Sequence, residues 1–188
     1  MPDEFTDRAL VDQVQAGDDR AFDVILARYR RPVLDLVYRL TGDAGSAEDI
    51  AQDVFVRAYR GLARYRTRPD AAFSAWLFRI ARNAAIDTLR RRGRDPVSLA
   101  RGTGERLDQQ PSSQSVSDDL HRREVADQVA AAVAALPEDQ RAAVILSEYE
   151  GQADAEIAAA MGGSVKSAQS RLYRARQTLR AVLAPLLK

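Results

Sequence analysis

The chain has 188 residues, 46% of them apolar and 29% charged, with a net charge of +1, so it can bury one or two cores and is not a disordered polymer. It has no cysteine, which excludes disulfides and thiolate metal sites and agrees with a cytoplasmic location. No stretch approaches the roughly 20 consecutive apolar residues of a membrane span, and the start, MPDEFTDRAL, is acidic without an apolar signal region, so neither export nor membrane insertion is expected.

Apolar spacing of three and four residues recurs on both sides of a polar middle, alanine is abundant and few segments alternate, which predicts an all-α fold. A short helix covers about Asp7–Gln15. A longer one starts near Asp18 and buries Phe22, Ile25, Tyr29, Val33, Leu36 and Leu40, with a kink expected at Pro32. Thr41-Gly42-Asp43 ends it. A third helix is expected from Ser46, where Ser46 and Asp49 resemble a capping box. Its buried stripe is Ala47, Ile50, Ala51, Val54, Phe55, Ala58, Tyr59 and Leu62. A fourth, about 72–92, buries Phe73, Trp76, Leu77, Ile80, Ala81, Ala84 and Leu89 and ends in Arg90-Arg91-Arg92.

Charge is distributed in blocks along these elements. Residues 1–60 sum to −4, 61–106 to +7, 107–160 to −8 and 161–188 to +6. Two separated basic blocks suit two contacts with a polyanion, and equally suit two solvated arginine-rich helix faces. The acidic start of the third helix, Glu48, Asp49, Gln52 and Asp53, is favoured by the helix dipole. It could also be a docking face for a basic partner. A metal site finds no support, because no histidine accompanies these groups and no second carboxylate motif faces them. Between the third and fourth helices, Arg64-Tyr65-Arg66-Thr67-Arg68-Pro69-Asp70-Ala71 mixes arginines with an aromatic ring. Single-stranded nucleic acid stacks and pairs on such a surface, although on spacing alone an ordinary surface loop is the plainer reading.

Gly93 to about Ser117 is rich in Gly, Pro, Ser, Gln and charge without any period, and reads as a linker. Beyond it, helices are expected near 118–135, 138–150, 153–161 and 165–183. Leu136-Pro137 and Gly151 separate the first three. Met161-Gly162-Gly163-Ser164 is a tight turn of helix-turn-helix type, with Ser164 able to cap the last helix. That helix buries Val165, Ala168, Leu172, Ala175, Leu179 and Leu183. Lys166, Ser167, Ser170, Tyr173, Arg174 and Gln177 face away, with groups able to meet base edges. Arg171, Arg176 and Arg180 flank them and can hold phosphates. With the upstream helix and glycine turn in place, the pattern favours DNA binding over a merely solvated amphipathic helix.

Four segments in order resemble one family: AEDIAQDVFVRAYRGL (Ala47–Leu62), FSAWLFRIARNAAIDTLRRRGR (Phe73–Arg94), LPEDQRAAVILSEYEG (Leu136–Gly151) and EIAAAMGGSVKSAQSRLYRARQTL (Glu156–Leu179). From about Thr6 to Leu183 the chain resembles the extracytoplasmic-function sigma factors of the sigma-70 family. The resemblance implies two small helical domains, a region 2 helical bundle at 1–94 and a region 4 helix-turn-helix at 118–188, joined by a flexible linker at 95–117. It implies binding to core RNA polymerase through the β′ clamp helices and β flap, binding to promoter DNA, a cytoplasmic location and an anti-sigma partner. By match, Asp49, Gln52, Asp53 and Phe55 would grip the clamp helices, although periodicity places Phe55 in the core. Tyr65, Arg66, Arg68 and Phe73 would form the specificity loop that captures a base flipped from the minus-ten element. Trp76, Arg79, Arg82 and Asn83 would lie at the melted upstream edge, with core packing an equal alternative for Trp76. Lys166, Ser167, Ser170, Arg171, Tyr173, Arg174 and Arg176 would read minus thirty-five. Two departures stand out: the loop from Tyr65 to Phe73 is longer than in many members, and Gln169 lacks the usual positive charge. No cofactor, metal or catalytic residue is implied. A helix-turn-helix repressor would leave the N-terminal motifs unexplained, and a protein-binding adaptor should not bind DNA. An all-helical enzyme lacks a catalytic constellation, since His121 is the only histidine and has no nucleophile nearby.

Overall fold

The computed structural model describes residues 6–66, 72–93 and 116–187, and within them the chain is a set of helices joined by turns, with no strand. Helix α1 (Asp7–Gln15) is capped by Thr6, whose hydroxyl accepts the Ala9 N–H at 3.3 Å. Helix α2 (Asp19–Thr41) starts at the Asp18 carboxylate, which accepts the Arg20 N–H at 3.1 Å, and stops at Gly42, whose φ of 70° closes the helix in the left-handed region. It runs on through Pro32 as one helix; the residue removes a single ladder donor without ending the element. Helix α3 (Ala44–Leu62) begins two residues before the expected Ser46. Ser46 is buried inside the first turn and donates to the Asp43 carboxylate, so the Ser46–Asp49 capping box is not formed. Helix α4 (Phe73–Arg92) lies where its periodicity puts it.

These four helices form the N-terminal bundle, with α2 packed on α1, α3 and α4. Ile25, Val33, Leu36, Leu40, Val54, Leu62 and Leu77 are essentially inaccessible to solvent. Burying each contributes about 1.5–3 kcal/mol. Tyr59, expected in the stripe, is instead 44% exposed, its hydroxyl donating to Asp19 at 2.7 Å. A phenol keeps a polar handle, and at the rim Asp19 satisfies it while the ring packs edge-on against Phe22.

The C-terminal half comprises α5 (Val116–Ala134), α6 (Glu138–Val144) continued by a π-helical turn (Ile145–Tyr149), α7 (Asp154–Met161) and α8 (Val165–Leu183), with a final 3₁₀ turn (Ala184–Leu187). Helix α5 thus begins just inside the expected linker, whose residues 95–115 lie outside the described residues. Gly162, at φ 70°, turns the chain between α7 and α8, and the Ser164 hydroxyl accepts the Ser167 N–H at 3.2 Å to cap α8. At the start of α7 the Glu156 carboxylate reaches back to accept the Ala153 N–H at 2.8 Å.

The halves touch. Helix α4 packs along α7, and one continuous buried cluster runs through both. Arg82 pairs with Asp139 at 2.6 Å, Arg90 with Glu138 at 3.3 Å, and Ser74 donates to Gln152 at 3.3 Å. Arg39 stacks 3.7 Å above the ring of Tyr149.

Candidate nucleic-acid and partner interfaces

Three surfaces carry the predicted site residues, and they differ in chemistry. The first is a groove of about 850 Å³ between α2 and α3. Its apolar lining includes Phe22, Leu26, Leu34, Phe55 and Val56, with Gln52, Glu48, Arg30 and Arg60 on the rim. Leu26, Val56 and Tyr59 are exposed there, an apolar patch rimmed by polar groups of the kind that marks a protein-binding site. The four predicted docking residues divide. Gln52 and the buried Phe55 belong to the groove, whereas Asp49 and Asp53 point to the other flank of α3, toward Arg91 and Thr88 of α4. Asp53 is held there by Arg57 at 2.5 Å.

The second surface surrounds the start of α4. Tyr65, Phe73 and Trp76 form an aromatic triangle with ring centroids 4.8–5.7 Å apart, and Tyr29 closes on Phe73 at 5.7 Å. Phe73 is buried, while Tyr65 and Trp76 are half-buried. Trp76 lies over Gly61, where a Cβ would sit 3.0 Å from the indole, so only glycine lets the ring come this close. The Tyr29 hydroxyl donates to Asp7 at 2.5 Å, and Arg28 grips the same carboxylate at 2.5 Å. Burial first, then that bond, pushes the Tyr29 phenol far above its ordinary range. Burial also raises Tyr65, with the Asp7 charge adding to it. Arg66 and Asn83 are exposed and Arg68 lies outside the described residues. Arg82 is committed to Asp139, and the Arg79 guanidinium lies against the Gly162 turn. Thus two of the upstream-edge candidates face the C-terminal half in this arrangement.

The third surface is the outer face of α8. Lys166, Ser170, Tyr173, Arg174 and Gln177 are exposed along one side while Ala168, Leu172 and Ala175 are buried on the other. Tyr173 is 65% exposed. Arg174 donates to the Ser170 hydroxyl at 2.9 Å and Gln177 to the Tyr173 hydroxyl at 3.1 Å, so neighbouring side chains hold one another. Val165, expected in the buried stripe, is 42% exposed because the helix is only beginning there. The flanking cations are already engaged. Arg171 donates to Ser167 at 2.7 Å and lies 3.5 Å from Asp139, and Arg176 pairs with Glu148 at 2.7 Å. That hydrogen bond from Arg176 holds the Glu148 carboxyl below its ordinary range. Gln169, the departure from the usual cation, donates to Asp154 of α7 at 2.8 Å, tying the two helices of the turn together.

Two known families match successive parts of the chain. Sigma-70 region 2 matches residues 25–95, and sigma-70 region 4 matches 126–179. The RNA polymerase sigma-H factor of Pseudomonas aeruginosa is 38% identical, covering 97% of this chain and 96% of that protein. The chain belongs to the sigma-70 family. The ECF RNA polymerase sigma-E factor of Escherichia coli K12, 35% identical over the whole of both chains, puts it in the extracytoplasmic-function branch. Among solved structures, that of CnrH in complex with the cytosolic domain of CnrY matches 95% of this chain and 97% of that one, with a TM-score of 0.70 and 29% identity. The sigma factor RpoE in complex with the anti-sigma factor NepR from Bartonella quintana matches 87% and 96%, with a TM-score of 0.65 and 26% identity. A sigma factor serves promoter-directed initiation of transcription with RNA polymerase.

Sequence reasoning missed the carboxylates that hold the sigma factor's cations. Asp139 and Glu148 lie far along the chain from Arg82 and Arg176, and no local spacing announces such pairs. The apolar groove was half visible: Val56 and Leu26 fall off the buried stripes of their helices, which is the one signal that could have found it. Among the described residues no helix is long and apolar enough to cross a membrane, and no three His, Cys, Asp or Glu side chains gather as a metal set.

Proposed function

We propose that this sigma factor docks its α2/α3 groove on the β′ clamp helices of core RNA polymerase and its C-terminal half on the β flap, reads minus-thirty-five duplex with α8, and traps the melted minus-ten strand with the face from Tyr65 to Asn83. The observation that carries this reading is the outer face of α8. Lys166, Ser170, Tyr173 and Arg174 stand in solvent after a glycine turn, while the opposite face of the same helix is core. A helix so placed can lie in a major groove about 12 Å wide and present a guanidinium to guanine or phosphate.

Each half alone offers a small interface, so duplex and strand contacts become strong only when one scaffold holds both. The packing of α4 on α7 sets Arg79 beside the Gly162 turn and ties Arg82 to Asp139, so the halves separate before the minus-ten face is used. The ion pairs across that contact are partly solvated and each contributes about 0–1 kcal/mol. Docking of the groove on polymerase, which binds the open form preferentially, supplies the difference. An anti-sigma factor would act in the opposite sense, by holding the halves together. The likeness to RpoE in complex with the anti-sigma factor NepR, over 87% of this chain, supports such a partner.

Run-off transcription with purified core polymerase and a matched genomic promoter library tests the proposal. Initiation from a discrete promoter set is expected, with loss of that set in the double variant Lys166→Ala, Arg174→Ala. No initiation from any promoter would sink it, and tight promoter binding without polymerase would make the protein a repressor instead.

A further inference from the structure

Gln15 ends α1 and has no role in any of the surfaces above. Its side-chain amide donates to two carbonyls about fifty residues away: Leu62 O at 2.8 Å and Tyr65 O at 2.8 Å. Leu62 is the last residue of α3, and its carbonyl also accepts the Tyr65 N–H at 3.0 Å, so both of its lone pairs are used. Two carbonyls facing one side chain require an NH₂ with two donors, and glutamine supplies that where glutamate would present only acceptors. The carbonyls that Gln15 holds flank the turn Ala63-Arg64. The ring of Tyr65 then meets Phe73 at 5.7 Å and Trp76 at 4.8 Å, on the far side of the loop.

We propose that Gln15 is a positioning residue for minus-ten strand capture. It clamps the backbone of residues 62–65 so that Tyr65 meets the Phe73–Trp76 aromatic face in one fixed geometry, with Arg64 and Arg66 exposed beside it. The proposal rests on the reading of that face as the strand-binding one. Gln15 holds residues 62–65, and the Tyr65 ring joins them to the start of α4. That juxtaposition is made in the folded protein rather than on the DNA. Gln15 touches no base itself.

The test uses full-length Gln15→Leu and Gln15→Glu in holoenzyme reconstituted with core polymerase. A promoter library randomised separately at minus ten and at minus thirty-five is transcribed, and the base preference at each element is read by sequencing. Gln15→Leu loses two hydrogen bonds, so minus-ten discrimination is expected to fall about ten-fold. Gln15→Glu should lose more, because its carboxylate faces two carbonyls. Core affinity and minus-thirty-five preference should hold for both, a pattern that general loss of stability would not give. Arg66→Ala, an exposed change inside the face, is the control. If Arg66→Ala flattens minus-ten preference and neither Gln15 variant does, the role assigned to Gln15 is wrong while the reading of the face stands. Should none of the three change that preference, the reading of the face fails as well. Melting curves of both variants show whether lost yield merely tracks lost fold, and a loss of yield with unchanged base preference overturns the proposal.

Discussion

The N-terminal groove and the outer face of α8 are opposite in shape and chemistry. The groove is concave, apolar and about 850 Å³, with charge confined to its rim. The outer face of α8 is convex, polar and cationic, and its apolar side chains are spent on the core. Burying apolar surface depends weakly on salt, whereas neutralising phosphates releases counterions and depends on it steeply. If the groove holds polymerase and α8 holds duplex, as proposed, the first grip persists as ionic strength rises and the second fades.

The largest effect should come from a charge placed in the groove. Val56 is 47% exposed, so Val56→Asp should leave the melting temperature nearly unchanged. The buried carboxylate should weaken binding to core polymerase at least about 100-fold, read by gel filtration or fluorescence anisotropy. Equal loss of polymerase binding in an α8 variant would erase the contrast between the two surfaces. Next, Arg174→Ala should weaken binding to minus-thirty-five duplex by about 1–3 kcal/mol. It should also lower the slope of log affinity against log salt by about one if the lost contact is to phosphate; groove binding should show no such change.

The contact between the halves gives two smaller effects. Glu150 is raised to about 7, first by burial and then by the neighbouring Asp35, against the opposing pull of Arg39. The unfolded carboxyl titrates near 4.3, so the folded chain holds the extra proton between about pH 4.3 and 7. Stability from this group therefore falls as pH rises through that window and is level above it. Glu150→Gln should raise the melting temperature by a few degrees at pH 8, with the gain shrinking toward pH 5, read by calorimetry. The smallest effect is Asp139→Asn, which releases Arg82 and Arg171 from one shared carboxylate. It should shift the closed-to-open balance by about 1 kcal/mol or less, seen as lower energy transfer between dyes on the two halves.

The sequence disclosed the helices because a buried stripe repeats every three or four residues, and α8 with its Ser164 cap stands within a residue of expectation. Its exposed face followed from the same period. What periodicity could not disclose is anything made between distant segments. Spacing suggests Ser46 as a cap, but its hydroxyl donates to Asp43, which precedes it by one turn rather than following it. Spacing puts Tyr59 in the core because it counts apolar rings and not the phenol's hydrogen bond to Asp19. Arg82 looks like any solvated arginine until α6 brings Asp139 to it. The family resemblance named the surfaces, and only the folded chain shows which side chains are free on them and which are already paired.

The bare backbone at Gly61 has one further consequence. With the indole of Trp76 resting directly on α3, a single added methyl at that point would have to lift the ring by a few tenths of an ångström and loosen its contacts with Tyr65 and Phe73. Neither Trp76 nor Gly61 lines the apolar groove, and neither belongs to α8. On the proposed reading, glycine to alanine at 61 would therefore disturb strand handling before polymerase attachment or duplex reading.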